Sequence, residues 1–489
     1  MSNLKDITLT DSQIRVLSQM KAFLESKDKV FVLKGYAGTG KTTLMRFLIQ
    51  HLQEQERGYH LLASTGRAST ILNAATGNTT AQTIHSLIYK YSDFNQDLSK
   101  ITEASSSING QLYLVFKPCK ADAEDKNQVY IIDEASMVAD TEDRNIVQAA
   151  FGSGRLLKEL LEYDSDPGSK YIFVGDPCQL PPITQTFSPA LSPQYIATTF
   201  GLGVQEGNLT EIVRQGNGNT IISTSQRIRQ LYNRAPETDT GYTSRVWGKM
   251  PIFSSANIQL HPNGEDMIQR YLQTIRSHGY GYATYLCRGN AACYQIACQI
   301  RERLGIRGRV SENDLLLVIQ NNTPLNLFNG DLVVVKQITH ETQHRANLTF
   351  RKVVVEDLGN KNSHTTFIIE ELLHSGKLNL DGEQQKALFV DFVLRMRKMG
   401  IYPKQNHQQF ILAMMTDPYL NALRCTFGYA ITCHKSQGGE WAEVFVNMPR
   451  NIMLNPAKSS YQWVYTAITR AKERLHVVDD IYLESYRRY

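Results

Sequence analysis

A chain of 489 residues, 42% hydrophobic and 20% charged, exceeds what one hydrophobic core usually holds and predicts two to four globular domains. No apolar run approaches the ~18 residues of a membrane helix, Met1 to Arg15 lacks the apolar core of a signal peptide, and the seven cysteines are scattered without C-x-x-C pairs, which suits a reducing cytosol and argues against zinc or iron–sulfur sites. The net charge of +5 permits nucleic-acid binding through a local basic groove without demanding it.

In chain order, the apolar run Val30 to Leu33 leads into Gly35-Tyr-Ala-Gly38-Thr39-Gly40-Lys41-Thr42, and Thr42 to Leu52 reads as a helix. This strand–loop–helix context is what the phosphate-cradling pattern G-x-x-x-x-G-K-[ST] requires. The glycines let backbone N–H groups converge on phosphate oxygens, and the helix N-terminus adds positive potential. Lys41 is expected to reach the β- and γ-phosphates and Thr42 to ligate Mg²⁺, with Gly35, Gly38, Thr39, Gly40 and Thr43 completing an ATP-binding loop. Strands follow at His60–Thr65, Val129–Asp133 and Lys170–Asp176, each with polar residues at its carboxyl end, where open α/β sheets bind ligands. The expected fold is α/β: two halves with parallel sheets flanked by helices. Residues 1–91 and 128–224 form the first half. A polar stretch at 92–127, around Gln111 to Phe116, interrupts it and reads as an inserted β-hairpin. The second half covers 225–310 and 425–489, with strands at Tyr282–Cys287, Val444–Val446 and Leu475–Val478 and a helix at Ala291–Leu304. Between them, 311–424 changes character. Strands at Leu315–Ile319, Asp331–Val335 and Lys352–Glu356, with the turn Asn329-Gly330, predict a small β-barrel, followed by a helix at Glu383–Met399. Cys287, Cys293 and Cys298 read as small buried apolar residues.

Val129-Tyr-Ile-Ile-Asp133-Glu134 has the form of a strand that delivers two carboxylates to a nucleotide. Asp133 is expected to hold Mg²⁺ and Glu134 to polarise the attacking water as general base. Gly175-Asp-Pro-Cys-Gln179 follows another buried strand, and the Gln179 amide there can report a γ-phosphate. Phosphoryl transfer also wants a guanidinium from another segment, which is worth ~10³–10⁵ in rate. Arg214 and Arg470 are the candidates.

Taken in order, these motifs resemble those of superfamily 1 helicases, in particular the RecD-like branch, superfamily 1B, and the resemblance runs along nearly the whole chain. Gln13 resembles that family's adenine-reading glutamine. Ala63-Ser64-Thr65-Gly66-Arg67-Ala68 resembles motif Ia, and Thr83-Ile-His85 the next DNA-contact motif. Asp133-Glu134 is similar to motif II, Gly175 to Gln179 to motif III, and Arg214 lies in a motif IV pattern. Thr432-Cys-His434-Lys435-Ser436-Gln437-Gly438-Gly439-Glu440 resembles motif V, and Tyr465 to Arg470 motif VI. Two positions depart from the pattern: Ser64 stands where a proline is usual, and Gly439 where a serine is.

The resemblance implies two RecA-like domains with ATP between them, Arg214 and Arg470 on the γ-phosphate, and Gly438 and Glu440 near the phosphates and ribose. It implies single-stranded DNA held by Thr65, Thr83, His85, Thr432, His434 and Ser436. The 92–127 insertion would be a strand-splitting pin, with Tyr113 and Phe116 as candidates against ordinary hairpin packing, and 311–424 an SH3-like module. It further implies a cytoplasmic, monomeric, 5′-to-3′ motor of a bacterial or phage-infected cell, acting at single-strand/duplex junctions alongside replication or repair proteins. An RNA motor and a nucleotide-gated DNA-binding switch remain open as alternatives, because no residue pattern here reads a 2′-OH.

Overall fold

The computed structural model describes residues 7–77, 80–95, 113–142, 149–183, 185–213, 219–236, 248–454 and 456–486. The first sheet has six parallel strands in the order Gln82–Thr83, Tyr59–Ala63, Val129–Asp133, Lys170–Gly175, Val30–Gly35 and Val204–Leu209. Alternate residues of its central strands face opposite layers. Phe31, Leu33, Ile131 and Ile172 pack with Val16, Met20 and Phe23 of helix Asp11–Leu24 and with Leu44, Met45 and Leu48 of helix Lys41–Glu54. Val30, Val32, Ile132 and Phe173 pack instead with Leu156, Leu157, Leu160 and Ile196. Covering both faces is why these strands read as unbroken apolar runs. Because all six run parallel, Gly35, Ala63, Thr83, Asp133 and Gly175 emerge together at one edge of the sheet.

A second parallel sheet has the order Ile258–His261, Ala471–Val478, Trp441–Val446, Ala283–Cys287 and Ile431–Thr432. The mixed α/β class with parallel sheets flanked by helices is therefore as the sequence predicts. Cys287 and Cys293 are buried and Cys298 is half-buried, all with free thiols.

Two further sheets fall on the interrupting segments. Ser363–Ile369, Leu348–Asp357, Leu332–Arg345, Leu315–Val318 and Cys425–Phe427 form a wholly antiparallel sheet. Its last strand lies just beyond residue 424. Tyr89–Phe94 pairs antiparallel with Leu114–Pro118, and Ala149–Phe151 adds a parallel third strand, so this small sheet draws on residues either side of 92–127. Phe116 stacks on Phe151 at 4.7 Å and meets Tyr91 edge-on at 5.9 Å, which commits it to packing. The Tyr113 N–H bonds Asn95 Oδ1 at 2.8 Å and its carbonyl accepts from the Asn95 N–H at 3.1 Å. Helices Gly382–Lys398 and His407–Thr416 share a core of Phe389, Phe392, Val393, Met396 and Phe410, against which Tyr91 and Leu114 of the small sheet also pack.

The second sheet contains a buried polar ladder. His476 Nδ1 faces His261 Nε2 at 3.0 Å and its Nε2 faces Glu443 Oε2 at 3.2 Å, while its ring stacks on Phe445 at 4.0 Å. Burial first, then the charges of His261, Arg270 and Arg474, push the His476 pKa down to about 3, and burial lowers His261 as well. The unfolded chain therefore binds these protons more readily than the fold does. Stability is complete above the unfolded histidine value of ~6.5 and is lost as pH falls from there toward the folded value. Chemical denaturation at pH 7 and pH 5 is expected to show a stability loss roughly 1–2 kcal/mol larger in the unsubstituted protein than in His476→Gln; equal losses would show that this ladder carries no acid sensitivity.

Candidate nucleotide site

The carboxyl end of the first sheet faces the amino ends of strands Trp441–Val446 and Ala471–Val478 of the second across a cleft of about 690 Å³, lined by Lys41, Thr42 and Asp133 on one side and Gly438, Glu440 and Arg470 on the other. Gly38 and Gly40 take φ of +79° and +80°, a left-handed turn that a Cβ would strain and that starts helix Lys41–Glu54 directly. Lys41 Nζ donates to the carbonyls of Gly35 at 2.8 Å and Tyr36 at 3.2 Å, folding over the loop it belongs to. Thr39 Oγ1 donates to the Tyr36 carbonyl at 2.8 Å, and Thr43 and Glu134 also line the cleft.

Gln13 lies against Gly40. Its Nε2 donates to the Thr39 carbonyl at 3.1 Å, and its Oε1 accepts from the Thr10 N–H at 3.0 Å as half of a capping box. The loop and the helix start thus engage both ends of its amide.

Asp133 ends its strand and Glu134 follows at φ +50° and ψ 39°, a left-handed conformation that costs a non-glycine residue about 1–3 kcal/mol and clusters at functional sites. Burial first, and the neighbouring Glu134 charge second, raise the Asp133 pKa to about 7, with Lys41 opposing. A divalent cation beside Asp133 and the Thr42 hydroxyl would offset that uncompensated carboxylate charge. Two hard oxygen ligands, completed by phosphate and water, are what Mg²⁺ takes in such sites, so the residues present fit it. When bound, the ion neutralises charge on the triphosphate.

Across the cleft, Gln179 joins the acid to the arginine. With the amide oriented to suit both neighbours, its Nε2 donates to Glu134 Oε2 at 3.2 Å and its Oε1 accepts from Arg470 Nη2 at 3.1 Å. Arg470 is 4% exposed and is held by the carbonyls of Thr466 at 3.1 Å and Gly439 at 3.3 Å. Arg214 lies outside the described residues.

Residues to which the sequence assigned no role knit the two sides together. The buried Tyr465 hydroxyl donates to Asp176 Oδ2 at 2.8 Å and accepts from the Ala37 N–H of the phosphate loop at 3.1 Å. Burial pushes up the pKa of Asp176, opposed by the charges of Lys41 and Arg470 and by hydrogen bonds from the Cys178 N–H and Tyr465. Thr466 Oγ1 accepts from the Leu180 N–H at 3.0 Å, and Gln437 Nε2 donates to the Leu180 carbonyl at the same distance. Gln462 Nε2 donates to the Gln179 carbonyl at 3.2 Å. Nothing short of the fold pairs these segments, which lie up to 428 positions apart.

The nucleic-acid candidates are positioned unequally. Thr65 Oγ1 caps helix Gly66–Thr76 through the Ala68 N–H at 3.2 Å, and Thr83 Oγ1 caps the next helical turn through the Ser86 N–H at 3.1 Å. Their strands are neighbours, with Ala63 opposite Thr83, so both sit at one edge. His85 packs against the rings of Phe151 at 5.1 Å and Tyr89 at 5.5 Å, and burial pushes its pKa down to about 4. Thr432 ends the edge strand of the second sheet, and burial also lowers the pKa of the half-buried His434. Ser436 departs from expectation. It is fully buried and donates to the Cys433 carbonyl at 2.7 Å, so it holds the turn and faces no ligand.

Two family models match in succession: an AAA domain over residues 8–238 and a UvrD-like helicase C-terminal domain over 427–478. Each falls on one wall of the cleft. Both models are of the kind found in helicases, and the order of the motifs resembles that of superfamily 1B. Among relatives, the ATP-dependent RecD2 DNA helicase of Deinococcus radiodurans is 23% identical over 95% of this chain and 48% of its own length. The R530 protein of Acanthamoeba polyphaga mimivirus is 23% identical over 95% of this chain and 98% of its own. MJ1519 of Methanocaldococcus jannaschii is 23% identical over 94% of this chain, which spans only 37% of that relative. Of solved structures, Pif1 helicase from Bacteroides with ADP-AlF3 and ssDNA aligns over 99% of this chain and 94% of its own at 15% identity and a TM-score of 0.47.

Tyr465→Phe tests the bridge between the two sides. It removes the side-chain partner of the Ala37 N–H and one of the hydrogen bonds on the buried Asp176 carboxylate, which keeps the Cys178 N–H, a loss worth roughly 1–3 kcal/mol. Thermal melting is expected to shift down accordingly, and an unchanged melt would mean that the hydroxyl bonds contribute nothing to closure.

Proposed function

We propose that this helicase hydrolyses ATP to step along single-stranded DNA and to separate duplex ahead of it, in the 5′-to-3′ direction that its RecD-like motif order implies. The observation that carries the reading is the chain Glu134–Gln179–Arg470. It holds a general base and a charge-stabilising guanidinium in one hydrogen-bonded line across a cleft whose walls come from different sheets. A pocket that only bound nucleotide would need neither group so placed.

In this reading, Lys41, Thr42 and the loop Gly35–Gly40 bind the triphosphate, with Thr43 beside them and Gln13 at the base. Asp133 and Thr42 hold Mg²⁺, Glu134 orients water, Gln179 senses the γ-phosphate, and Arg470, with Arg214, stabilises charge on it. Gly438 and Glu440 close the far wall. Residues 1–91 and 128–224 serve as one motor domain and 225–310 and 425–489 as the other. Thr65, Thr83, His434 and Thr432 contact the strand at the sheet edges. The small sheet around 92–127 acts as the pin, and the antiparallel sheet of 311–424 as an SH3-like brace. Losing the γ-phosphate removes the group that Lys41 and Arg470 hold from opposite sides, which lets the cleft open. Alternating grip by the two domains then converts opening into travel.

Backbone contacts of this kind read no sequence and weaken with salt. Lys41→Ala is expected to retain ssDNA binding while losing ATP hydrolysis and unwinding. A stopped-flow assay comparing 5′-tailed, 3′-tailed and RNA-tailed duplexes checks the rest. Unwinding by the Lys41→Ala protein would overturn the assignment, preference for a 3′ tail would overturn the direction, and ATP turnover without strand separation would point to a switch.

A further inference from the structure

Arg67 is absent from the chemistry above, yet its side chain reaches from the first half of the chain to two other segments. It sits in the first turn of the helix that Thr65 caps. Its Nη1 donates to the Gly330 carbonyl of the antiparallel sheet at 2.9 Å, and its guanidinium lies 4.9 Å from the Trp441 ring centroid. Beside it, the Phe328 ring packs onto Gly66. Three parts of the chain therefore meet at one side chain: the Thr65 helix, the turn at 328–330, and the start of strand Trp441–Val446.

Gly439 explains why this is possible here. A Cβ at that position would come within 3.1 Å of Arg67 Nη2 and 2.8 Å of Trp441 Cη2. The serine usual at this place in the resembled motif would intrude on the stack, and the glycine found in this chain admits it. Trp441 in turn is tied to the hydrolytic machinery, since its N–H donates to the Arg470 carbonyl at 2.9 Å. Arg67 is deeply desolvated, which lowers its pKa, and its charge is offset by Asp331 and Asp357. A desolvated cation over an indole face is the strong form of this interaction.

We propose that Arg67 is a positioning residue that links the Thr65 helix to Arg470 through Trp441, so that occupancy of the single-strand site sets the position of the arginine that Gln179 ties to Glu134. The inference rests on the helicase reading above. In it, ssDNA at Thr65 shifts the helix, the Arg67–Trp441 stack moves with it, and the backbone bond carries the movement to Arg470. A guanidinium over an indole face also offers N–H groups in a fixed fork that an ammonium lacks, so charge alone does not replace it.

The experiment is steady-state ATP hydrolysis with and without saturating oligo-dT, on the full chain. In Arg67→Gln, the DNA-free rate and the KM for ATP are expected to stay within about twofold, while kcat with oligo-dT falls roughly tenfold. Arg67→Lys keeps the charge without the stack and is expected to fall equally; it also serves if the glutamine variant does not fold. Adding Trp441→Leu to Arg67→Gln is expected to cost no more than Arg67→Gln alone, because both remove one contact. Full stimulation in Arg67→Gln, restoration by lysine, additive losses in the double variant, or an equal fall in the DNA-free rate each overturn the relay while the helicase reading stands. ATP hydrolysis by the unsubstituted protein that oligo-dT does not stimulate overturns both.

Discussion

A single buried hydroxyl, that of Tyr465, carries the constraint on which the rest of the arrangement depends. Parallel sheets deliver loops to their carboxyl ends, and those loops carry backbone N–H groups and carboxylates with no ladder partners of their own. The Ala37 N–H and Asp176 are two such groups, and both find the Tyr465 hydroxyl, which arrives from the far end of the chain. The same logic repeats at Leu180, whose N–H and carbonyl are both satisfied from the second sheet by Thr466 and Gln437. These polar groups join the two halves beside an apolar contact, in which Cys178 and Leu180 of the first half pack into the core that holds Trp463 and Tyr465. Unlike the apolar contact, a hydrogen bond can exchange its partner for water at small net cost.

Electrostatics gives that closure a direction. Asp133, Glu134 and Asp176 gather on the first wall, and burial raises both aspartates. Lys41 and Arg470 approach from opposite sides, and Gln179 holds Glu134 and Arg470 in register without neutralising either. A site so weighted favours a ligand carrying phosphate charge together with a divalent cation, because the pair satisfies the cations and the aspartates together. The strained backbone of Glu134 belongs to the same arrangement. The left-handed conformation aims a carboxylate out of a strand end where an ordinary turn would point it back along the sheet.

The parts legible in the sequence are those where one local pattern decides the outcome. The phosphate loop needs a strand, glycines and a helix start in sequence, and Val30 to Leu52 supplies all three. The central strands read clearly because helices cover both faces. Val204–Leu209 and Ala149–Phe151 escaped notice because an edge strand of mixed polarity and a three-residue strand have no period to detect. Helix His407–Thr416 was missed because its apolar residues face both the helix pair and solvent, with Leu412 and Met415 exposed, which blurs the amphipathic signal. Site roles that depend on side-chain direction were less legible still. Motif V correctly marks a turn beside the cleft, but whether Ser436 faces outward is fixed by the Cys433 carbonyl it bonds. The two ends of the Gln13 amide are likewise committed by the fold around it.

The small sheet shows how packing can make an otherwise weak element useful. A short hairpin in isolation is barely stable in water and needs further strands or a packed helix. Here the sheet is held from two directions. On one side, Phe116 and Phe151 stack, with His85 and Tyr89 adding rings, and His85 belongs to the segment that Thr83 begins. On the other, Tyr91 and Leu114 pack against the Phe389, Phe392 and Phe410 core of the helix pair that follows the antiparallel sheet. Each anchor leads to a different motor domain in the reading proposed above: the aromatic cluster to the first, the helix pair through the 311–424 segment to the second. In that reading, a pin fixed to both moves when the cleft between them opens and closes, and the motion reaches it through packed side chains without a flexible linker.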